Sequence, residues 1–332
     1  MAKLRIALIG SGYWGRQHAR IYGERSDTEL CAIAGRSDRG GRLAATLGAH
    51  FYQDVDLMLS TERPDFVSVC VPYQQQAAVA SQVIRQDFPL LVEKPLATTT
   101  AEAEELLREA DERGLFFAIN FNHRYARPFQ MAREAVSAGR IGDPSFAVWR
   151  FGGAWDPGHP TGTLIESLCH GFDMLEHLVA PVTSVMAEMT DKTDAGFRSV
   201  VLSLGLADAS VAAAIGSYDS SFEYPLAHYF ELNGTLGRIF IQDTTQRFTF
   251  TAKGSETSET WEAGLFNDRD RSFARMMDEH VDAMLQAFRT GQSPPVPAHC
   301  GLRALQIAEA ATVSHREGRR VAIASPGAGL HP

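Results

Sequence analysis

The chain has no C-x-x-C pair, no apolar run of bilayer length and no surplus of positive charge. Its four cysteines, Cys31, Cys70, Cys169 and Cys300, are scattered over 332 residues, which excludes a cysteine-based zinc site and a disulfide framework. Cys31 and Cys70 lie in apolar runs and read as buried strand residues, so a reducing, cytoplasmic setting is expected. Basic residues number 31 against 40 acidic ones, a formal net charge of -9. That deficit argues against nucleic acid as the main partner, because phosphate backbones need clustered Lys and Arg; a small anionic ligand needs only a local cradle. No membrane partner is expected either. The basic-then-apolar start, Lys3 to Gly10, mimics a signal peptide, but its apolar part is short, contains Arg5 and runs into a glycine motif. It reads as a first strand. Internal repeats and low-complexity blocks are absent, and the Pro- and Gly-rich tail from Ala324 to Pro332 is expected to fray.

What is present is a two-domain pattern. Hydrophobic residues make up 45% and charged residues 21%, the balance of a folded protein, and the length suits two cores. Strands are predicted at Arg5–Ile9, Leu30–Ala34, Phe66–Val71, Leu90–Val92 and Leu115–Ile119. Helices are predicted between them, at Gln17–Arg25, Gly41–Leu47, Gln76–Arg85 and Ala101–Arg113. Almost uninterrupted apolar strands alternating with helices imply a parallel sheet covered on both faces. Beyond residue 121 the rhythm changes. After a helix at Phe129–Ala138, a strand at Ser145–Phe151 and a helix at Leu164–Leu178, strands follow one another without intervening helices: Ser184–Met189, Phe197–Leu204, Ser210–Tyr218, Tyr229–Leu232, Arg238–Ile241 and Arg247–Ala252. That pattern predicts an α+β domain with a large, mainly antiparallel sheet, closed by helices at Phe273–Arg289 and Leu302–Arg316. The boundary falls near Phe121 to His123, giving domains 1–122 and 123–332.

Gly10-Ser11-Gly12-Tyr13-Trp14-Gly15 fits G-x-G-x-x-G directly after the first strand. Gly10 permits the turn, Gly12 lets the backbone approach a pyrophosphate, and Gly15 lets helix pack on strand. The following helix N-terminus offers free N–H groups to phosphate. The second strand ends Ala34-Gly35-Arg36-Ser37, with glycine where an acid would bond the ribose hydroxyls of NAD. Arg36 and Ser37 suit a 2′-phosphate, so NADP is favoured and NAD remains possible, Asp38 being close enough to take the acid's part.

Glu93-Lys94-Pro95 ends the fourth predicted strand, where open α/β sheets bind ligands; on composition alone Lys94 also fits a surface lysine. In Glu166-Ser167-Leu168-Cys169-His170-Gly171-Phe172-Asp173, a helix would put Glu166, His170 and Asp173 on one face, with His177 extending the row. A histidine there can take an alcohol proton. A metal pair and a half-buried structural helix stay open on spacing alone; no metal is assigned.

Together these pieces resemble the glucose–fructose oxidoreductase/inositol dehydrogenase/rhizopine-catabolism (Gfo/Idh/MocA) family, over nearly the whole chain. The carriers are the Gly10–Gly15 turn, Glu93-Lys94-Pro95, the helix with His170, the crossover Asn120-Phe121-Asn122-His123-Arg124-Tyr125 and the turn Gly234-Thr235-Leu236-Gly237. The resemblance implies hydride transfer between a nicotinamide and a secondary alcohol or ketone of a sugar, cyclitol or related polyol. Lys94 would touch the substrate hydroxyl, His170 would be base or acid, and Asp173 would contact substrate or orient His170. Glu166 stands where most members carry Asp, which alters its reach by one methylene. Gln76 replaces a frequent His. Tyr13, Trp14, Pro72, Tyr73, Gln76, Glu93 and Arg124 would line the cofactor, and a homodimer or homotetramer is expected. The loop Trp155-Asp156-Pro157-Gly158-His159 could grip a polyol, while the stretch Tyr218 to Tyr229 reads as packing. Two other readings of the same fold are redox-assisted glycoside cleavage with retained NAD and a dinucleotide-sensing regulator; an acid–base pair argues against the sensor.

Overall fold

The computed structural model describes residues 3–153, 159–190, 192, 196–264 and 273–324. Of the loop singled out above, Trp155, Asp156, Pro157 and Gly158 lie outside the described residues, as does the tail 325–332. The chain forms two compact units: Met1–Asn120 together with Met277–Leu302, and Phe121–Met276 together with Arg303–Pro332.

The first unit is a six-stranded parallel sheet in the order β3-β2-β1-β4-β5-β6. Its strands are β1 (Leu4–Ile9), β2 (Thr28–Ala34), β3 (His50–Tyr52), β4 (Phe66–Val69), β5 (Leu90–Val92) and β6 (Phe117–Ile119). Helices α1 (Tyr13–Glu24), α2 (Asp38–Leu47), α3 (Val55–Glu62), α4 (Tyr73–Arg85) and α5 (Thr100–Glu112) connect them. The order reverses between β1 and β4, and in such sheets the crevice beyond the strands' carboxyl ends is the ligand position. Helix α1 buries Gly15, His18, Ala19 and Tyr22, the i, i+3, i+4, i+7 stripe of a helix laid on a sheet.

β3 and α3 are the elements the sequence reading missed here. β3 is a three-residue edge strand, exposed to half-buried, so it lacks the apolar run of a central strand. α3 is short and starts from Asp54, whose side chain accepts the Leu57 N–H. The sequence reading also draws one break in the chain. The structure returns Met277–Leu302 to the first unit because Met277, Val281, Met284 and Leu285 are fully buried in its core, at helical spacing. Phe288 adds edge contacts to Phe66 at 5.2 Å and Phe116 at 5.4 Å. Burial of side chains of this size is worth about 1.5–3 kcal/mol each, enough to override proximity in sequence.

The second unit carries a 3₁₀ turn (Asn122–Tyr125), α6 (Arg127–Ser137), β7 (Pro144–Gly152), a π-helical turn (Thr163–Ser167) and α7 (Leu168–Leu178). There follow β8 (Val182–Thr190), β9 (Ser199–Leu206), β10 (Val211–Ser217), β11 (His228–Gly234), β12 (Gly237–Gln242), β13 (Arg247–Ala252), β14 (Glu259–Glu262) and β15 (Val321–Ala322). These form a nine-stranded sheet in the order β14-β13-β12-β11-β7-β10-β9-β8-β15. Every neighbouring pair is antiparallel except β7 with β10. The edge strands β14 and β15 escaped sequence reading because they are short and partly exposed. On the inner face Trp149 and Phe230 are fully buried with Phe129 and Phe172. A Cβ on Gly171 would lie 2.5 Å from the Trp149 ring, so the glycine is what lets α7 sit on β7. Helices Phe273–Arg289 and His299–Glu317 complete the chain. No helix among the described residues is long and apolar enough to cross a membrane.

Candidate active site

At the head of α1 the three glycines differ in what surrounds them. Gly10 has a φ of +108°, and a Cβ there would stand 2.2 Å from the Cys70 carbonyl oxygen. A Cβ on Gly15 would stand 2.4 Å from the Gly10 carbonyl oxygen. A Cβ on Gly12 would meet nothing within 4 Å. Two glycines therefore close the turn, and the third faces open space in front of a helix whose first N–H groups have no side-chain cap. These residues fit a dinucleotide pyrophosphate. Tyr13 is 62% exposed at this edge and Trp14 stands edge-on to it at 4.9 Å, with its ring also against the core.

At the end of β2, Arg36 and Ser37 are exposed, and the Arg36 guanidinium donates to the Gln75 side-chain oxygen. Ser37 precedes α2 without capping it through its side chain. A Cβ on Gly35 would make only ordinary contacts, the nearest with Ser11 Oγ at 3.6 Å. No steric demand fixes glycine there.

Lys94 follows β5 and is half-buried, next to a cis peptide bond to Pro95. Pro72 is exposed, and Tyr73 behind it is half-buried. Two residues assigned to the cofactor from sequence are turned inward. Gln76 is fully buried, its amide donating to the carbonyls of Glu93 and Pro95. Glu93 is 6% exposed, and its Oε1 faces His18 Nε2 at 2.9 Å and accepts from Asn120 Nδ2 at 2.8 Å. The Gln76 amide nitrogen and the Glu93 carboxylate thus bond protein groups at an interior strand end, and the Gln76 side-chain oxygen is buried there.

In the second unit, α7 is buried on nearly every side. His170, 7% exposed, stacks on His123 with ring centroids 4.1 Å apart and 23° between planes. Phe121 meets its edge at 5.8 Å. His123 in turn contacts Trp149 and His228. His228 shares a hydrogen bond with the Thr244 hydroxyl, and burial pushes its imidazole down to about 3. Burial likewise pushes His177 down to about 3, with Arg124 and Arg133 adding to the effect. Both rings are neutral at ordinary pH.

Glu166 lies in the π-helical turn that ends at Ser167, and His170 and Asp173 lie on α7 directly behind it. The Glu166 carboxylate accepts the Tyr218 hydroxyl at 2.8 Å, and Tyr218 also bonds Ser167 Oγ at 2.6 Å. Burial pushes the Tyr218 phenol up, and the Glu166 charge adds to it. Asp173 is held by Arg124 in a fork, Nε to Oδ2 at 2.9 Å and Nη2 to Oδ1 at 2.6 Å, with the side chains only 6% and 2% exposed. Burial pushes the Asp173 carboxyl up and Arg124 opposes that rise. Arg124, assigned to the cofactor from sequence, is thus committed to a carboxylate of its own unit.

Sequence reasoning gave no site role to Tyr218, His18 or His280, and quoted Asn120 and His123 only within the crossover motif. Tyr218 lay in a stretch read as packing, and nothing local pairs it with Glu166. His18 did carry a signal: a histidine on the apolar stripe of α1 needs a buried partner.

The sequence matches two family models: "Oxidoreductase family, NAD-binding Rossmann fold" over residues 4–121, and "Oxidoreductase family, C-terminal alpha/beta domain" over residues 133–323. It is 24% identical to inositol 2-dehydrogenase of Rhizobium meliloti, covering 97% of this chain and 99% of that one. It is 27% identical to myo-inositol 2-dehydrogenase of Thermotoga maritima, covering 96% and 98%. Levoglucosan dehydrogenase, solved with NADH and L-sorbose, superposes with a TM-score of 0.88 at 17% identity, covering 98% and 100%, a likeness of fold. With the glycine turn, the parallel sheet and the large second sheet in place, the chain belongs to the Gfo/Idh/MocA family of NAD(P)-dependent oxidoreductases.

Proposed function

We propose that the chain is an NADP-preferring dehydrogenase or reductase acting on a secondary alcohol or ketone of a sugar, cyclitol or related polyol. One observation carries the reading: the carboxyl edge of one parallel sheet presents both the open Gly12 turn and Lys94. Two relatives named as inositol dehydrogenases support the substrate class.

When bound, the nicotinamide cofactor supplies the hydride acceptor or donor. The Lys94 ammonium stabilises negative charge growing on the reacting oxygen. His170 removes the hydroxyl proton in oxidation and returns it in reduction, a contribution of about 10²–10⁴-fold in typical enzymes. The stack on His123 holds that imidazole in one plane. Asp173, bound to Arg124, fixes α7 and so orients His170, and Glu166 does the same for the turn before it through Tyr218. The NADP preference rests on Gly35-Arg36-Ser37, where glycine takes the place of the ribose-binding acid and the exposed Arg36 guanidinium, which donates to Gln75, can pair with a 2′-phosphate. The wide scatter of Cys31, Cys70, Cys169 and Cys300 supports a reducing, cytoplasmic setting.

The reading is tested by following nicotinamide reduction with NADP and NAD against a panel of sugars and inositols. Turnover on polyols is expected, with NADP raising the melting temperature more than NAD. Gly35→Asp is expected to reverse that order. Stronger stabilisation of the parent protein by NAD would overturn the cofactor assignment, and no turnover across the panel would count against the substrate class. We further propose a homodimer or homotetramer. Val201 and Val211, exposed by 53% and 54%, support it, since they lie on the outward side of the nine-stranded sheet. Sedimentation at only the 36.4 kDa of one chain would contradict it.

A further inference from the structure

A line of polar side chains runs through the interior of the first unit, behind the strand end that carries Lys94. His18, in the middle of α1, has no exposed surface. Its Nδ1 meets the Ser68 hydroxyl at 2.9 Å and its Nε2 meets Glu93 Oε1 at 2.9 Å. The same carboxylate oxygen accepts from Asn120, whose own oxygen meets His280 Nδ1 at 2.7 Å. Glu93 Oε2 accepts the backbone N–H of Lys94 at 3.3 Å. Gln76 grips the carbonyls on either side of Lys94. Elements far apart in sequence thus converge on three residues, at the cost of burying a carboxylate, which is tolerated only when it is paired and hydrogen-bonded.

Ligand atoms of His18, Cys70 and Glu93 lie within 4.8 Å of one another, a spacing a metal could use. Both ring nitrogens of His18 are already engaged, and an ion would have to replace the direct His18–Glu93 bond. The arrangement serves Lys94 instead. We propose that His18 is a positioning residue for Lys94: through Glu93 it fixes the Glu93–Pro95 segment and balances the carboxylate charge beside the ammonium. The inference rests on the role given to Lys94 above.

Burial alone would push His18 down, but Cys70 and Glu93 outweigh it and hold the imidazole well above its ordinary value. Burial alone would push Glu93 up, but His18, Asn120 and Lys94 outweigh it and hold the carboxyl below its ordinary value. Both directions favour an imidazolium facing a carboxylate. The other titratable groups facing it are Tyr22 on α1, Cys70 after β4 and Lys94 itself, with His280 on the helix Phe273–Arg289 reached through Asn120.

Replacing His18 by Gln keeps a hydrogen-bond donor and removes the cation, so Glu93 then acts on Lys94 unbalanced. The test is the pH dependence of acetylation of Lys94 by acetic anhydride, read by mass spectrometry, in the full-length parent, His18→Gln, Glu93→Gln and the double variant. The midpoint is expected to rise by about half a pH unit or more in His18→Gln and to return toward the parent in the double variant. Turnover in His18→Gln is expected to fall about tenfold in kcat, with KM for the polyol near that of the parent. Unmoved midpoints in both single variants would overturn the inference. Should His18→Gln fail to fold, Glu93→Gln alone decides, its expected midpoint lying below that of the parent. Because acetylation reads the proton on Lys94 without turnover, a shifted midpoint beside a fully active Lys94→Ala would fault the catalytic role of Lys94 and leave the coupling standing.

Discussion

Lys94→Ala is expected to lower kcat by about two to three orders of magnitude, as loss of a preorganised charge at a developing oxyanion does elsewhere. The dissociation constant of the cofactor is expected to stay within a few-fold of the parent value. The reason lies in how the segment is built. The backbone of Glu93, Lys94 and Pro95 is held by Gln76 and by the Glu93 carboxylate, and neither depends on the lysine ammonium. The glycine turn is a separate structure, closed by Gly10 and Gly15. Removing the side chain should therefore remove charge from the reaction and leave the fold and the nucleotide cradle intact. Steady-state kinetics combined with a cofactor fluorescence titration would check this. A variant that keeps most of its kcat would remove Lys94 from the mechanism, and a variant that loses kcat only by losing cofactor would reassign it to binding.

Arg124→Met is expected to destabilise the protein by about 3–5 kcal/mol, because it leaves the Asp173 carboxylate buried with no cation. For a unit of this size the melting temperature should fall by roughly 10 °C. The pair joins the 3₁₀ turn Asn122–Tyr125 to α7, both inside the second unit. Replacing both partners, Arg124→Met with Asp173→Leu, should recover much of the loss, since the penalty comes from the stranded charge and not from the absence of an ion pair. Calorimetry on the two variants and the parent distinguishes these cases. A single variant within about 1 kcal/mol of the parent would show that the fork is a weak, solvated contact and that Asp173 is free for another task.

The glycine turn was legible because its function is local: three positions in one strand–turn–helix unit decide it. The alternation of strands and helices in the first unit was legible for the same reason, since strands buried on both faces read as unbroken apolar runs. Lys94 was singled out because it directly follows such a run, and His170 because it lies in an apolar helical pattern. The failures share a cause as well. β3, β14 and β15 are short edge strands, and edges carry no strong pattern. The residues Thr163–Ser167 likewise give no sign in sequence that they wind as a π turn before α7.

The sequence by itself determined which segments pair into a parallel sheet and where the glycine turn lies after the first strand. Only the tertiary structure decided the partners of the buried charges. Asp173 went to Arg124, Glu166 to Tyr218, and Glu93 to His18 and Asn120. The helix after Met276 rejoined the first core. The physical reason is one of range. Periodicity and turn chemistry act within a few residues, whereas these buried polar atoms take partners that folding delivers from 27 to 75 residues away.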